Sequence, residues 1–127
     1  MTRTVAEMVH EAKTNIENLT PEAALNEQRS GSVFIDIREP QEVQTGTIAG
    51  AHHAPRGMLE FYADPQSPYH QAFLDPSRRT VLYCASGGRS ALAAQALHQM
   101  GYKNVAHVDG GVRAWQEAGF PLAATTA

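Results

Sequence analysis

Short apolar strands alternating with helices predict an α/β domain, a parallel sheet of about five strands with helices on both faces. Three observations carry this. The runs Val33-Phe34-Ile35, Val81-Leu82-Tyr83 and Val105 to Val108 are too short and too apolar for anything but buried strands. Stretches with helical spacing separate them. Charged or glycine-bearing segments follow the first two runs, where an open parallel sheet places its ligands.

Val5, Met8, Val9, Ala12 and Ile16 recur at steps of three and four, so a first amphipathic helix is expected from Thr4 to about Ile16. Thr20-Pro21-Glu22 offers an N-cap, a proline at the first helical position and an acid in the first turn. That second helix should run to about Arg29 and stop near Gly31. The strand Val33-Phe34-Ile35 then empties into Asp36-Ile37-Arg38-Glu39-Pro40. A short helix is expected over 39–44, a turn and short strand over 48–54, and a helical segment over 57–62. The proline-containing stretch 63–77 reads as loop with one helical turn near 69–73. Thr80 to Tyr83 is the next strand, and a helix from Ser90 to Met100 ends on Gly101, a good C′ residue. After the strand Val105 to Val108, Asp109-Gly110-Gly111 is a turn, and Val112, Trp115 and Ala118 face one side of a last helix.

A length of 127 residues suits one domain, 1–127, with a helical extension at 1–19, a core at 20–122 and a tail at 123–127 that should fray. The net charge of -3 has interspersed signs and no basic stripe, so nucleic acid is not an expected partner. No apolar stretch reaches bilayer length and the N-terminus lacks an apolar signal core, so no membrane association is expected. One cysteine excludes an intramolecular disulfide and fits a reducing compartment, the cytoplasm. His52 and His53 are adjacent, which points them to opposite faces of a strand, and His10, His70, His98 and His107 are scattered. No metal and no cofactor are expected.

The lone cysteine stands at a chemically informative place. Cys84 closes a strand and opens Ala85-Ser86-Gly87-Gly88-Arg89, and a helix follows at Ser90. A helix start leaves N–H groups unpartnered and carries partial positive charge. Gly87 and Gly88 permit the backbone to turn successive amides toward one point. Such a cup favours a thiolate, and Arg89 adds a planar cationic fork for an oxyanion. Against this stands an ordinary alternative, a buried thiol packed as a small hydrophobe.

Three stretches resemble the single-domain rhodaneses: Asp36-Ile37-Arg38-Glu39, Cys84 to Ser90, and Gly110-Gly111-Val112-Arg113-Ala114-Trp115 with Ala118-Gly119-Phe120-Pro121. Gly46 to Ala51 leading to Pro55 fits more weakly, because Thr47-Ile48-Ala49 stands where members commonly have His-Ile-Pro. The resemblance covers about Thr20 to Leu122. It implies a rhodanese-like fold and transfer of a sulfane sulfur, from thiosulfate or a similar donor to cyanide or a thiol, through a persulfide on Cys84. Ala85, Ser86, Gly87, Gly88, Arg89 and Ser90 would form the substrate cup, with Asp36 and Arg38 supporting it. Partners would be small-molecule donors and acceptors or a thiol protein, and the expected state is a monomer or weak homodimer.

Several alternatives stay open at this level. Arg89 could be solvated or paired with Asp36 or Asp109, Asp36 could cap the next helix, and Ser90 could cap its own. Arg56 is a candidate for added positive potential, and Met58, Leu59, Phe61 and Tyr62 for the mouth of the site. A carrier module that is loaded without turning over needs the same cup. Phosphatase and arsenate-reductase relatives of this fold separate cysteine and arginine by five residues, whereas here only Ala85 to Gly88 intervene; the shorter loop favours a sulfur atom.

Overall fold

Thr4 opens the chain's first helix by accepting the Glu7 N–H on its hydroxyl at 3.0 Å, and α1 runs Val5–Asn15. Thr20 acts in the same way on Ala23 N–H at 3.1 Å, starting α2 at Pro21–Arg29. The remaining elements of this computed structural model, which describes residues 2–125, are β2 (Val33–Asp36), α3 (Pro40–Val43), β3 (His52–His53), a 3₁₀ turn at Arg56–Met58, α4 (Leu59–Ala63), β4 (Thr80–Tyr83), α5 (Gly88–Gln99), β5 (Val105–Val108) and α6 (Gly111–Glu117). Glu17–Leu19 between the first two helices forms β1.

The five strands make one sheet in the order β1-β5-β4-β2-β3, every neighbouring pair parallel. Side chains alternate between its faces. Val33, Ile35, Leu82, Cys84 and Val105 pack with Leu59 and Ala63 of α4 and with Ala93, Ala94 and Leu97 of α5. Phe34, Val81, Tyr83, Ala106 and Val108 pack with Ala24 of α2 and with Val112 and Trp115 of α6. The expected two-faced parallel sheet is therefore present. Helix α1 lies outside α5; it buries Ala12 fully and leaves Val5 68% exposed.

Local departures from the sequence reading have simple causes. Residues 1–19 are not a purely helical extension, because Glu17–Leu19 pairs with Ala106, His107 and Val108 as an edge strand. Three residues with one apolar member carry no readable alternation. Residues 69–73 form turns without a helix. The tail does not fray over 123–125: Thr47 and Ala123 exchange both backbone hydrogen bonds, and the Thr125 hydroxyl donates to the Val43 carbonyl. The fraying expected at 126–127 falls outside the described residues.

Two ionic clamps hold the sheet. At the start of β4, Arg79 donates to Glu17 of β1, to Glu27 of α2 and to Asn104 before β5, at 2.8–3.3 Å. At the end of β2, Asp36 is fully buried and Arg38 nearly so. Arg38 donates to the Asp36 carboxylate through Nε at 3.0 Å and Nη2 at 2.8 Å, while Nη2 also reaches the Gly46 carbonyl at 2.6 Å. Removing one member of a buried pair leaves the other charge uncompensated. Arg38→Met should lower the unfolding free energy by about 3–5 kcal/mol, read from urea titration.

Candidate active site

Strand β4 delivers Cys84 to the face shared with α4 and α5. The chain then turns through Ala85 and Ser86 to Gly87, whose φ of +103° belongs to glycine, and α5 begins at Gly88. Helix α5 thus starts two residues earlier than the sequence suggested, and Ser90 sits in its first turn instead of capping it. This turn aims two amides at the sulfur. Gly87 N–H donates to Cys84 Sγ at 3.2 Å and Ser90 N–H at 3.3 Å. The Gly88 and Arg89 amides, at the first two helical positions, have no protein acceptor among the described residues. The Ser90 hydroxyl oxygen lies 3.5 Å from Sγ.

The other side of the cup is fixed by a second helix. Val112 N–H donates to the Cys84 carbonyl at 2.9 Å and Arg113 N–H to the Ala85 carbonyl at 3.0 Å. A Cβ at Gly111 would fall 2.4 Å from the Cys84 carbonyl oxygen, so only glycine lets α6 approach this closely. Asp109-Gly110-Gly111 is therefore more than a turn. It seats one helix end on the back of the cysteine loop.

Arg89 pairs with neither Asp36 nor Asp109. Its guanidinium makes a two-pronged pair with Glu42 of α3, at 2.7 and 2.9 Å, and its side chain stays 40% exposed. Glu42 also accepts the Glu39 N–H at 2.9 Å. This contact, and not Asp36, ties the loop after β2 to the cysteine loop. Asp36 stands opposite Tyr83 in the sheet register, and Tyr83 and Cys84 point to opposite faces. Asp36 and Cys84 end neighbouring strands but do not share a crevice. Arg38 serves Asp36 and Gly46, and it lines a cleft of about 440 Å³ that reaches Ala85 alongside Val112 and Arg113. Arg56 pairs with Glu60 at 2.7 Å, and Leu59 is core, not mouth.

Sequence reasoning missed a buried network behind the sulfur. His107 of β5 is fully buried; its Nδ1 lies 2.8 Å from the Ser90 hydroxyl and its Nε2 lies 2.8 Å from Asn18 Oδ1. A histidine in an otherwise apolar strand was the one available signal, since a buried polar group must find partners. Asn18 and Glu42 gave none. Among the described residues, no group of three His, Cys, Asp or Glu side chains is placed to hold a metal ion, and no helix is long and apolar enough to cross a membrane.

A parallel α/β sheet that sets one thiol at a strand end, with two backbone amides directed at its sulfur, defines a cysteine-centred α/β domain. Residues 20–118 match the rhodanese-like domain model, and the chain belongs to the rhodanese-like family. It is 31% identical over 106 residues to the thiosulfate sulfurtransferase GlpE of Pseudomonas entomophila, covering 81% of this chain and 87% of that one. It is 30% identical over 118 residues to slr1261 of Synechocystis, covering 93% of this chain but only 62% of that longer protein. Among solved structures, RPA3614 of Rhodopseudomonas palustris superposes with a TM-score of 0.91 at 45% identity, covering 97% of this chain and 96% of that one. That protein is described as of unknown function and a possible tyrosine phosphatase.

Gly111→Ala should destabilise the fold by on the order of 3 kcal/mol, from backbone overlap and a left-handed alanine, and thermal melting would show it. A pH dependence is also expected. Burial pushes His107 down to about 4, with Asp109 opposing and Lys13 adding to the shift. The unfolded chain binds this proton near 6.5 and the folded chain does not, so stability should fall by about 3 kcal/mol between those values as pH drops. The Arg89 hydrogen bonds hold Glu42 down to about 2 from 4.5. Its contribution should disappear over that lower window. In urea titrations across pH, His107→Gln should erase the upper step and keep the lower.

Proposed function

We propose that this protein is a sulfurtransferase that carries a sulfane sulfur on Cys84, taking it from thiosulfate or a similar donor and passing it to cyanide or a thiol. The observation that supports this best is the pair of amides, Gly87 N–H and Ser90 N–H, already directed at Sγ within a loop of four residues between Cys84 and Arg89. The Cys84 thiolate attacks the outer sulfur of the donor. A Cys84 Sγ–S bond forms, the donor's S–S bond breaks, and its electron pair leaves with sulfite. The acceptor then attacks that outer sulfur and Cys84 departs as thiolate, a double displacement.

Four of the six cup residues have a part in this scheme. Gly87 and Ser90 amides offset negative charge on Sγ. The Gly88 and Arg89 amides are available to the added sulfur. Arg89, still half-exposed beside Glu42, holds the anionic end of the donor. Because Cys84 is 1% exposed, the rim at 86–89 has to yield before a donor can reach it. Phosphate-ester hydrolysis is the second reading, raised by the relative considered a possible tyrosine phosphatase. The four residues between Cys84 and Arg89 weigh against it, one fewer than the phosphatase relatives of this fold use to enclose a tetrahedral anion.

Intact-mass measurement after incubation with thiosulfate should show one added sulfur on the wild type and none on Cys84→Ser, and thiocyanate production should vanish in that variant. Persulfide without turnover would favour a carrier role. Hydrolysis of a phosphate monoester faster than sulfur transfer would overturn the proposal. Arg89→Ala should raise the thiosulfate KM about tenfold or more, the loss of one charge-assisted contact, and lower the melting temperature modestly through loss of the half-exposed Glu42 pair.

A further inference from the structure

The network behind Cys84 has a direction. Asn18 Nδ2 donates to the Lys13 carbonyl at 2.9 Å and to the Ile16 carbonyl at 3.3 Å. That fixes the amide, so the Asn18 oxygen faces His107 at 2.8 Å. An amide oxygen only accepts, so His107 Nε2 carries the proton. A neutral imidazole then has an unprotonated Nδ1, which accepts the Ser90 O–H at 2.8 Å. The Gly87 carbonyl is a second acceptor near this hydroxyl, at 3.3 Å, but the shorter 2.8 Å contact takes the hydrogen to His107, and Ser90 turns lone pairs toward Sγ at 3.5 Å. The thiol is left as donor to Ser90.

We propose that Ser90, His107 and Asn18 form a directed proton relay for Cys84. The S–H proton passes to Ser90 Oγ while the Ser90 proton passes to His107 Nδ1, and the thiolate so formed attacks the donor. His107 becomes an imidazolium hydrogen-bonded through Nε2 to Asn18, and Ser90 now donates toward the sulfur. Release of the outer sulfur to the acceptor leaves a Cys84 thiolate, and the same path returns the proton. Ser90 touches the reacting atom; His107 and Asn18 are positioning residues that act through it. The charges facing His107 are few. Cys84 reaches it through Ser90, and Lys13 of α1 and Asp109 after β5 pair with each other at 2.9 Å, so their fields on the imidazole oppose. Burial keeps the ring unprotonated at neutral pH and opposes its imidazolium, so the transfer depends on the negative charge it leaves on the sulfur side of Ser90.

This relay rests on the sulfur-transfer reading for its role, but its chemistry can be read without it. Two rates are compared in the full chain: persulfide loading from thiosulfate by intact mass, and alkylation of Cys84 by iodoacetamide. At pH 7, His107→Gln and Ser90→Ala should each slow both rates by about a hundredfold, the lower part of the range for positioned proton transfer. Near pH 9.5, about a unit above an ordinary thiol, hydroxide removes the proton and the deficit should close. Asn18→Ala, at the exposed edge strand, should give a smaller deficit with the same recovery. A deficit equal at both pH values, or none at pH 7, overturns the relay. Ser90→Ala removes one atom and keeps the test decisive if His107→Gln does not fold. Wild type that alkylates normally but never gains sulfur counts against sulfur transfer, and the alkylation profile still decides the relay.

Discussion

Two helix ends converge on one peptide unit at the end of β4, and the rest of the site depends on that convergence. From one side, the first turn of α5 aims Gly87 and Ser90 amides at the Cys84 sulfur. From the other, the first turn of α6 ties down the Cys84 and Ala85 carbonyls. The loop is thus held by its carbonyls while its amides stay free to serve the sulfur. Gly111 makes this possible, because any side chain there would overlap the Cys84 carbonyl. Two sequence segments that look like separate motifs are halves of one joint.

Electrostatics divides the site by sheet face. The buried Asp36–Arg38 pair belongs to the α2 and α6 side and braces the turn at Gly46. The sulfur, Ser90 and His107 belong to the α5 side. The Glu42–Arg89 pair links α3, which follows β2, to the first turn of α5, which follows β4. Arg89 is therefore a cation already engaged: the Glu42 carboxylate keeps its fork oriented and tempers its pull on any further anion.

The fold was largely legible in the chain. The apolar runs at 33–35, 80–83 and 105–108 are strands, because only buried parallel strands use such uniform stretches. The cysteine cup was legible from Gly87-Gly88 before a helical pattern. What failed was anything requiring knowledge of side-chain facing. Asp36 and Cys84 both end strands, but a one-residue difference in register places them on opposite faces. β1 was invisible because three residues at an edge need little hydrophobicity, and with it went Asn18. His107 could be read as an anomaly in an apolar strand, while its partners at 18 and 90 are distant in sequence and adjacent only in the sheet.

β1 is too short to hold itself, yet it carries the amide that orients the imidazole. Arg79 fastens that strand from the far end of the sheet through Glu17, and the same guanidinium grips Glu27 and Asn104. Residues remote from the sulfur thereby govern its surroundings through alignment alone. A change at that distant rim would reach the sulfur only by moving the strand that holds Asn18.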